Sequence, residues 1–201
     1  MSNEHLRFFS QASENNRLPI ETELRRIFAD KTHILEIGSG TGQHAVYFSS
    51  ALPHLVWQTS DLVENHEGIC HWLSAHGGNN VCPPLTLDVT QHPWTLDAVD
   101  GIFTANTSHI MPWEAVVEMF EGTKTVLKPK GTLVIYGPFN YDGEFTSESN
   151  RRFEQWLKDR GAHQGIRDFE KMVELATEAK LTLKEDLAMP ANNRLLVFEK
   201  T

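Results

Sequence analysis

The stretch Ile34-Leu-Glu-Ile-Gly-Ser-Gly-Thr-Gly-Gln-His-Ala45 decides the predicted fold. The apolar run at residues 33–37 predicts a buried β-strand, and glycines follow it at alternate positions, Gly38, Gly40 and Gly42. Glycine lets the backbone turn tightly and approach a ligand without a Cβ in the way. We therefore predict a strand that turns sharply beneath a nucleotide-like ligand and then leads into a helix over residues 43–51.

Outside this unit, apolar segments alternate with helical patterns, which is typical of parallel strands joined by crossover helices. Strands are predicted at residues 33–37, 55–59, 81–87, 101–105, 132–136, 181–188 and 194–199. Helices are predicted at residues 43–51, 62–76, 113–126, 150–160 and 169–179. Residues 189–193 are too few for a crossover helix, so the last two strands should pair antiparallel. The predicted fold class is α/β, a doubly wound Rossmann-like sheet of seven mostly parallel strands with a C-terminal antiparallel hairpin strand.

The length of 201 residues fits one substantial core better than two independent domains. We predict a single domain over residues 1–201, in which residues 1–30 form an N-terminal helical cap and residues 31–201 form the core. Within the cap, residues 19–29 have the pattern of an amphipathic helix with Ile20, Leu24, Ile27 and Phe28 on one side. The preceding segment, residues 7–17, is expected to fold over the ligand site.

The formal net charge of −9 and the sequence pI near 5.5 disfavour a surface that neutralises phosphates, so no nucleic-acid partner is expected. No apolar stretch approaches the roughly 20 residues of a membrane helix, and no signal peptide is recognisable, so we expect a cytoplasmic protein without membrane contact. The cysteines Cys70 and Cys82 lack C-x-x-C spacing and are predicted to be reduced thiols. His66, His71 and His76 do not share a helical face, so no metal is predicted.

The glycine spacing distinguishes between ligands. Dinucleotide sites use G-x-G-x-x-G, in which the helix N-terminus is aimed at a pyrophosphate. Here the third glycine comes one residue early, and position 43 is a glutamine. Glu36, next to the end of the strand, would repel phosphate oxygens but could accept a hydrogen bond from an amine or organise the loop. A pyrophosphate ligand is therefore disfavoured.

Acidic residues follow the ends of the next two predicted strands. Asp61 could accept hydrogen bonds from both hydroxyls of a ribose, and Asp88 could accept from the exocyclic amine of adenine, with Leu62 and Val89 on the two sides of the ring. Either aspartate could instead cap a helix, since Asp is a favoured N-cap residue. Taken together, the acids predict a nucleoside ligand with a tail that carries no phosphate.

These residues resemble class I S-adenosylmethionine-dependent methyltransferases: residues 34–42 resemble the first motif, Asp61 the ribose-binding acid, Asp88 the adenine-contacting acid and residues 132–136 the fifth strand. More narrowly, residues 12–20, 146–150, 165–168 and 189–193 resemble the poorly characterised domain-of-unknown-function group that includes methyltransferase-like protein 26. The resemblance implies S-adenosyl-L-methionine as cofactor. The implied cofactor-binding residues are Glu36, Gly38, Ser39, Gly40, Thr41, Gly42, Asp61, Leu62, Asp88, Val89 and Asn106.

The methyl acceptor should lie above the fourth strand, where the sequence continues Ala105-Asn-Thr-Ser-His-Ile-Met-Pro-Trp113. This segment lacks the [DN]-P-P-[FY] pattern of many nucleic-acid amino-methylating enzymes. Asn106 is a candidate to meet the methionine part of the cofactor or to act on the acceptor. His109 is the candidate general base, because an imidazole can accept a proton at neutral pH. The alternative for His109 is a hydrogen bond to backbone.

Four further residues are predicted to bind the substrate. Trp113 could form a wall of the pocket, although a tryptophan at a helix start often serves packing instead. Residues 137–145 combine glycines and aromatic side chains as a lid would, which makes Phe139 and Tyr141 candidate contacts. Arg17 offers a guanidinium to a carboxylate of cofactor or substrate, or is simply a surface arginine.

Three functions are compatible with these patterns. The preferred one is an S-adenosylmethionine-dependent methyltransferase with a small-molecule acceptor. The alternatives are a protein that binds S-adenosylmethionine or S-adenosylhomocysteine without transferring a methyl group and, with less support from the glycine spacing, an NAD-dependent oxidoreductase. The methyl acceptor, the methylated atom and the oligomeric state do not follow from the sequence. Asn150, Arg167 and Asp168 match features of the resembled group, but their spacing assigns them no chemistry.

Overall fold

The computed structural model describes residues 8–201. Its helices are α1 (Gln11–Ile27), α2 (Gln43–Ala51), α3 (His66–His76), α4 (Trp113–Val126), α5 (Glu148–Arg160) and α6 (Phe169–Glu178). Its strands are β1 (His33–Ile37), β2 (Val56–Asp61), β3 (Val81–Thr86), β4 (Val99–Ala105), β5 (Leu127–Gly137), β6 (Phe139–Asn140), β7 (Arg167–Asp168), β8 (Leu181–Met189) and β9 (Asn193–Lys200). Short 3-10 turns span Val63–Asn65 and Pro190–Asn192.

The main sheet has seven strands in the order β3-β2-β1-β4-β5-β9-β8. The pairs β1–β2, β1–β4 and β2–β3 are parallel, whereas β9 pairs antiparallel with both β5 and β8. The predicted α/β fold class, the seven strands and the C-terminal antiparallel hairpin are therefore confirmed. A second sheet, β6 paired in parallel with β7, was not predicted.

Two compact units make up the chain: residues up to Asp88 together with Val99–Phe103, and Val89–Ala98 together with Thr104–Thr201. In the first unit, aromatic rings fill the core. Phe48 lies 5.6 Å from Trp57 and 5.4 Å from Phe103 between ring centroids. In the second, Phe120 and Phe198 meet edge to face at 6.3 Å beside the buried centre of β5. Each unit thus buries its own apolar side chains.

Helix α1 starts eight residues before the predicted start, so the prediction that it begins at Pro19 is wrong. Ser10 caps the helix by accepting a hydrogen bond from the Ser13 amide at 3.2 Å, and Pro19 lies inside it. A proline in a helix removes one backbone hydrogen bond. Contacts with α2 on both sides of Pro19 hold the helix together: Asn16 is 2.7 Å from Nε2 of His44, and Tyr47 donates to Glu21 at 2.5 Å. Of the segment 7–17, residue 7 lies outside the described residues.

Within residues 8–201, no helix combines the length and the apolar character that crossing a membrane requires.

Candidate functional site

The turn after β1 has a backbone that only glycine adopts readily. Gly38, Gly40 and Gly42 have φ values of 70°, 57° and 85°, all in the left-handed region. Around Gly40, a Cβ would meet no atom within 4 Å, so this glycine borders open space. At Gly42, a Cβ would lie 3.0 Å from Cα and 3.3 Å from the carbonyl oxygen of Ile69 in α3. The third glycine is therefore required for close packing, whereas the second leaves room for a ligand.

Backbone hydrogen bonds tie this turn to the end of β2. The amides of Gly38 and Ser39 both donate to the carbonyl of Ser60 at 3.0 Å, and the amide of Gly42 donates to the carbonyl of Ser39 at 2.8 Å. The hydroxyl of Ser60 in turn donates to the carbonyl of Glu36 at 2.6 Å. The loop conformation is thus fixed by protein contacts.

Asp61 is the polar centre of the turn. Its Oδ2 accepts from the amide of Gly40 at 2.7 Å, and its Oδ1 accepts from the amide of Leu62 at 2.7 Å and the side chain of Asn65 at 2.8 Å. An ionised carboxylate offers about four acceptor positions, so three donors leave it further capacity. Asp61 therefore links the glycine turn to the end of β2 and can still accept from a ligand.

Glu36 is 2% exposed and accepts two hydrogen bonds on Oε2, from the hydroxyl of Ser39 at 2.9 Å and from the indole of Trp57 at 3.2 Å. Burial raises the pKa of Glu36 to about 7, because removing the carboxylate from water disfavours its charge. These contacts support the alternative in which Glu36 organises the loop.

Gln43 occupies the position that a dinucleotide fingerprint gives to glycine. Its side-chain amide donates to the carbonyl of Ser10 at 3.3 Å and to Glu14 at 2.9 Å, and its Oε1 accepts from the hydroxyl of Thr41 at 3.0 Å. The side chain of Gln43 therefore fastens the start of α2 to the start of α1.

The predicted adenine contacts follow β2 and β3. Asp61 pairs with Thr86, and the amide of Leu87 donates to the carbonyl of Asp61 at 3.0 Å, so Asp88 follows directly beside the end of β2. Leu62 is 39% exposed, so part of its apolar side chain is accessible. Val89, in the second unit, is 7% exposed.

Arg17 lies on α1, where its guanidinium is 2.9 Å from Glu14 and stands over the ring of Tyr47 at 4.7 Å from the centroid. It borders a depression with a volume of about 390 Å³ on the helices of the first unit. The depression is lined by Phe9, Glu14, Arg17, Gln43, Val46, Tyr47, Ser50, Trp72 and His76. Arg17 thus has protein partners, and its predicted role with a carboxylate ligand stays a prediction.

In the second unit, Asn106 follows β4 with a φ of 59°, a left-handed conformation that asparagine tolerates better than most residues. Its amide donates to the carbonyl of Tyr136 at 2.9 Å. The hydroxyls of Thr104 and Thr107 are hydrogen bonded to each other across this turn. Unusual backbone conformations of this kind cluster at functional sites.

His109 is 4% exposed, and its Nδ1 has no hydrogen-bond partner among residues 8–201. Burial, with a smaller contribution from the nearby charge of Arg167, lowers the pKa of His109 to about 4. The ring packs edge to face against Phe153 at 5.3 Å between centroids. The imidazole is therefore neutral at physiological pH, and its buried Nδ1 makes no hydrogen bond within the described residues.

The other predicted substrate contacts have protein neighbours. Trp113 begins α4 and is half-buried, with the guanidinium of Arg167 at 5.8 Å from a ring centroid. Phe139 lies in β6 and is fully buried, so substrate contact would require it to repack. The hydroxyl of Tyr141 donates to Asp186 at 2.8 Å, and burial together with this contact raises the pKa of Tyr141. The structure leaves the substrate roles of these three residues untested.

Two polar residues of the second unit were missed as site candidates. The Oδ1 atom of Asn140, in β6, is buried and has no hydrogen-bond partner in the described part of the chain. Arg167, noted in the sequence without a role, donates to the carbonyl of Ser108, next to His109, at 2.8 Å. Its position follows from the pairing of Phe139 with Arg167, which no local pattern predicts.

The described residues contain no cluster of three or more His, Cys, Asp or Glu side chains that could hold a metal ion.

Comparison with known families identifies the family of the chain. The family model for a protein of unknown function, DUF938, matches residues 7–200. The chain belongs to the DUF938 family. The DUF938 family is described as one of unknown function.

Solved structures with the same fold include several methyltransferases. An O-methyltransferase family 2 protein from Planctomyces limnophilus, in complex with apigenin, matches with a TM-score of 0.83 at 16% identity over 100% of this chain and 62% of its own. An O-methyltransferase family protein from Burkholderia thailandensis matches with a TM-score of 0.81 at 16% identity over 92% and 56%. PigF with S-adenosylhomocysteine matches with a TM-score of 0.76 at 16% identity over 90% and 55%. The DUF938 chain spans little more than half the length of these proteins, and the likeness is one of fold.

Proposed function

We propose that this DUF938 protein is a single methyltransferase-like domain that binds S-adenosyl-L-methionine and methylates a small molecule. The observation that carries the proposal is the glycine turn after β1, in which Gly40 borders open space while its amide is held by Asp61 at 2.7 Å. Such a turn brings backbone to a ligand without a side chain in between. The fold shared with O-methyltransferases supports the same reading.

The residues of the first unit fit the nucleoside part of this cofactor. Asp61 retains acceptor capacity for a ribose hydroxyl, the exposed face of Leu62 suits an adenine ring, and Asp88 follows the neighbouring strand end. No cationic side chain hydrogen bonds to the glycine turn in the described structure, which disfavours a pyrophosphate. The cofactor roles of Val89 and Asn106, which belong to the second unit, stay predictions from the sequence.

When bound, S-adenosylmethionine would supply an electrophilic methyl group on a sulfonium sulfur. The acceptor oxygen would gain the bond to the methyl carbon as the bond from carbon to sulfur broke, and the electron pair of that bond would stay on sulfur. We propose that His109 takes the proton of the acceptor hydroxyl on Nδ1. The neutral imidazole, whose Nδ1 makes no hydrogen bond within the described residues, suits this role. Alignment of the reacting atoms would supply much of the rate acceleration.

A small hydroxylated acceptor is favoured by two buried atoms that lack partners in residues 8–201, Nδ1 of His109 and Oδ1 of Asn140. Buried polar atoms without partners are costly, and a ligand that brings hydroxyl groups, which both donate and accept, would satisfy them. The net charge of −9 disfavours nucleic acid as a substrate. A cytoplasmic location and kinship with the group of methyltransferase-like protein 26 are parts of the same proposal.

The same histidine also supports the rival function, a cofactor-binding protein without transferase activity. An imidazole with a pKa near 4 is a weak base, so His109 gives less driving force for proton removal than an exposed histidine. The purified protein should therefore be incubated with methyl-labelled S-adenosylmethionine and a panel of phenols and other hydroxylated metabolites. Labelled product with any of them supports the transferase, whereas cofactor binding without product supports the rival.

A further inference from the structure

The guanidinium of Arg167 holds the segment that carries His109. Its Nε donates to the carbonyl of Ser108 at 2.8 Å, and its Nη2 donates to the carbonyl of Met111. Nη2 also lies 3.2 Å from the carbonyl of His163. One planar side chain therefore fixes two carbonyls that bracket His109 in the sequence.

The backbone of His109 is held from the same side. The amide of Gly165 donates to the carbonyl of His109 at 2.9 Å, so Gly165 and Arg167 together engage the carbonyls of residues 108, 109 and 111. Arg167 is itself placed by the β6–β7 sheet, in which it pairs with Phe139. The sequence motif Gly165-Ile-Arg-Asp168 thus supplies the hydrogen-bond donors that hold the backbone of the segment after β4.

None of these contacts uses the imidazole ring of His109. A Cβ built on Gly137 would lie 3.7 Å from Nδ1, so this atom faces the end of β5. The ring is held by packing against Phe153 rather than by a hydrogen bond to Nδ1. An arrangement that fixes the backbone firmly and leaves one ring nitrogen without a partner is suited to a group that must meet a ligand.

We propose that Arg167 is a positioning residue, which holds the segment Ser108–Met111 so that Nδ1 of His109 stays available to the acceptor hydroxyl. This inference rests on the proposed function. Lysine cannot replace the arginine, because an ammonium is a single point of charge and cannot span two carbonyls as a planar guanidinium fork does. The half-buried charge of Arg167 also disfavours a proton on His109.

The test compares Arg167→Lys and Arg167→Gln with the wild type and with Arg160→Lys. Arg160 is the matched control, because it is an arginine of the same unit whose guanidinium stacks over Trp156 at 4.6 Å. Three quantities are measured for each protein: kcat and KM for methyl transfer, the Kd for S-adenosylhomocysteine, and the imidazole signals of His109 by NMR as a function of pH.

For Arg167→Lys we expect kcat to fall by about 100-fold, the size of effect that misplacing a catalytic group produces. The Kd for S-adenosylhomocysteine should stay at the wild-type value. The ring signals of His109 should shift. Arg167→Gln keeps a donor for one carbonyl and should show the same changes, and because it also removes the charge beside the ring, it should raise the pKa of His109. Arg160→Lys should show none of these changes.

Unchanged ring signals of His109 in both Arg167 variants would overturn the inference, as would a loss of cofactor affinity in proportion to kcat. If either variant fails to fold, the other carries the comparison. If the wild type transfers no methyl group to any acceptor, the proposed function fails, and the NMR comparison still decides whether Arg167 positions the ring.

Discussion

The turn after β1 and the segment after β4 both follow buried parallel strands, yet they differ in how their polar groups are satisfied. In the glycine turn, Asp61 accepts three hydrogen bonds and Glu36 accepts two. After β4, the backbone is fixed by Arg167, while Nδ1 of His109 has no partner among residues 8–201. The glycine turn thus has its polar groups satisfied by protein contacts, whereas the segment after β4 leaves one buried ring nitrogen without a hydrogen bond, and the proposed cofactor and base roles rest on this difference.

The largest expected effect concerns His109. Replacing it in His109→Ala should lower kcat for methyl transfer by about 10²–10⁴-fold, the usual contribution of a general base. The Kd for S-adenosylhomocysteine should not change. The matched control is His163→Gln, because the side chain of His163 is exposed. A variant that keeps the wild-type kcat would remove His109 from the mechanism.

The pH dependence of the wild type sharpens this prediction. Because burial lowers the pKa of His109 to about 4, its imidazole is neutral well below neutral pH. Turnover should therefore not fall between about pH 8 and pH 5.5, a range in which an ordinary histidine of pKa about 6.5 becomes protonated. A rate profile that falls with an apparent pKa near 6.5 would contradict the burial of this ring.

Asp61→Ala should produce the next largest effect. It removes an acceptor shared by the amides of Gly40 and Leu62 and the side chain of Asn65, at a cost of about 3 kcal/mol in the free energy of unfolding. The affinity for S-adenosylhomocysteine should fall by more than about 100-fold as the glycine turn loosens. Asn65→Ala, which removes only one donor, should cost about 1 kcal/mol or less. Equal losses in the two variants would show that Asp61 has no special place in the turn.

Replacement by alanine should affect stability and cofactor binding differently at Gly42 and at Gly40. Gly42→Ala places a Cβ 3.0 Å from backbone of Ile69 and should lower the free energy of unfolding by about 2–3 kcal/mol. Gly40→Ala meets no neighbouring atom and should cost only about 1 kcal/mol from its left-handed backbone. It should nevertheless weaken cofactor binding, because its methyl group enters the open space. Chemical denaturation and calorimetric titration of both variants separate the two effects.

The smallest effect concerns Glu36, whose pKa is raised by burial from 4.5 to about 7. The folded chain then holds a proton that the unfolded chain releases, so this stabilisation is complete below pH 4.5 and is lost as the pH rises through 7. Between pH 6 and pH 8, the wild type should lose about 1 kcal/mol of stability more than Glu36→Gln. Parallel stability curves for the two proteins would show that Glu36 is already ionised when folded.

How far the sequence predicted the structure depends on the range of the interactions. The strand, glycine turn and helix over residues 33–51 follow from local patterns, and they were predicted with the observed bounds. The start of α1 was missed because contacts of α2 with residues on both sides of Pro19 outweigh the local cost of the proline. The β6–β7 sheet was missed because two-residue strands have no periodicity.

The same reasoning applies to the candidate site. Asp61 could be singled out because its place at a strand end is visible in the sequence. The role of Arg167 could not, because it depends on contacts with carbonyls 56 and 59 positions away in the chain. The burial of His109 also arises from packing against Phe153, which lies far away in sequence. The place of Asp61 beside a strand end could be predicted from the sequence. The contacts that give Arg167 its hydrogen bonds and bury His109 could not.

The most direct test of the central claim is a calorimetric titration of the wild-type protein with S-adenosylhomocysteine, with NAD titrated in parallel. We expect saturable binding of S-adenosylhomocysteine with a micromolar Kd, loss of that binding in Asp61→Ala, and no binding of NAD. Absence of S-adenosylhomocysteine binding by the folded wild type, or binding of NAD in its place, would contradict the account.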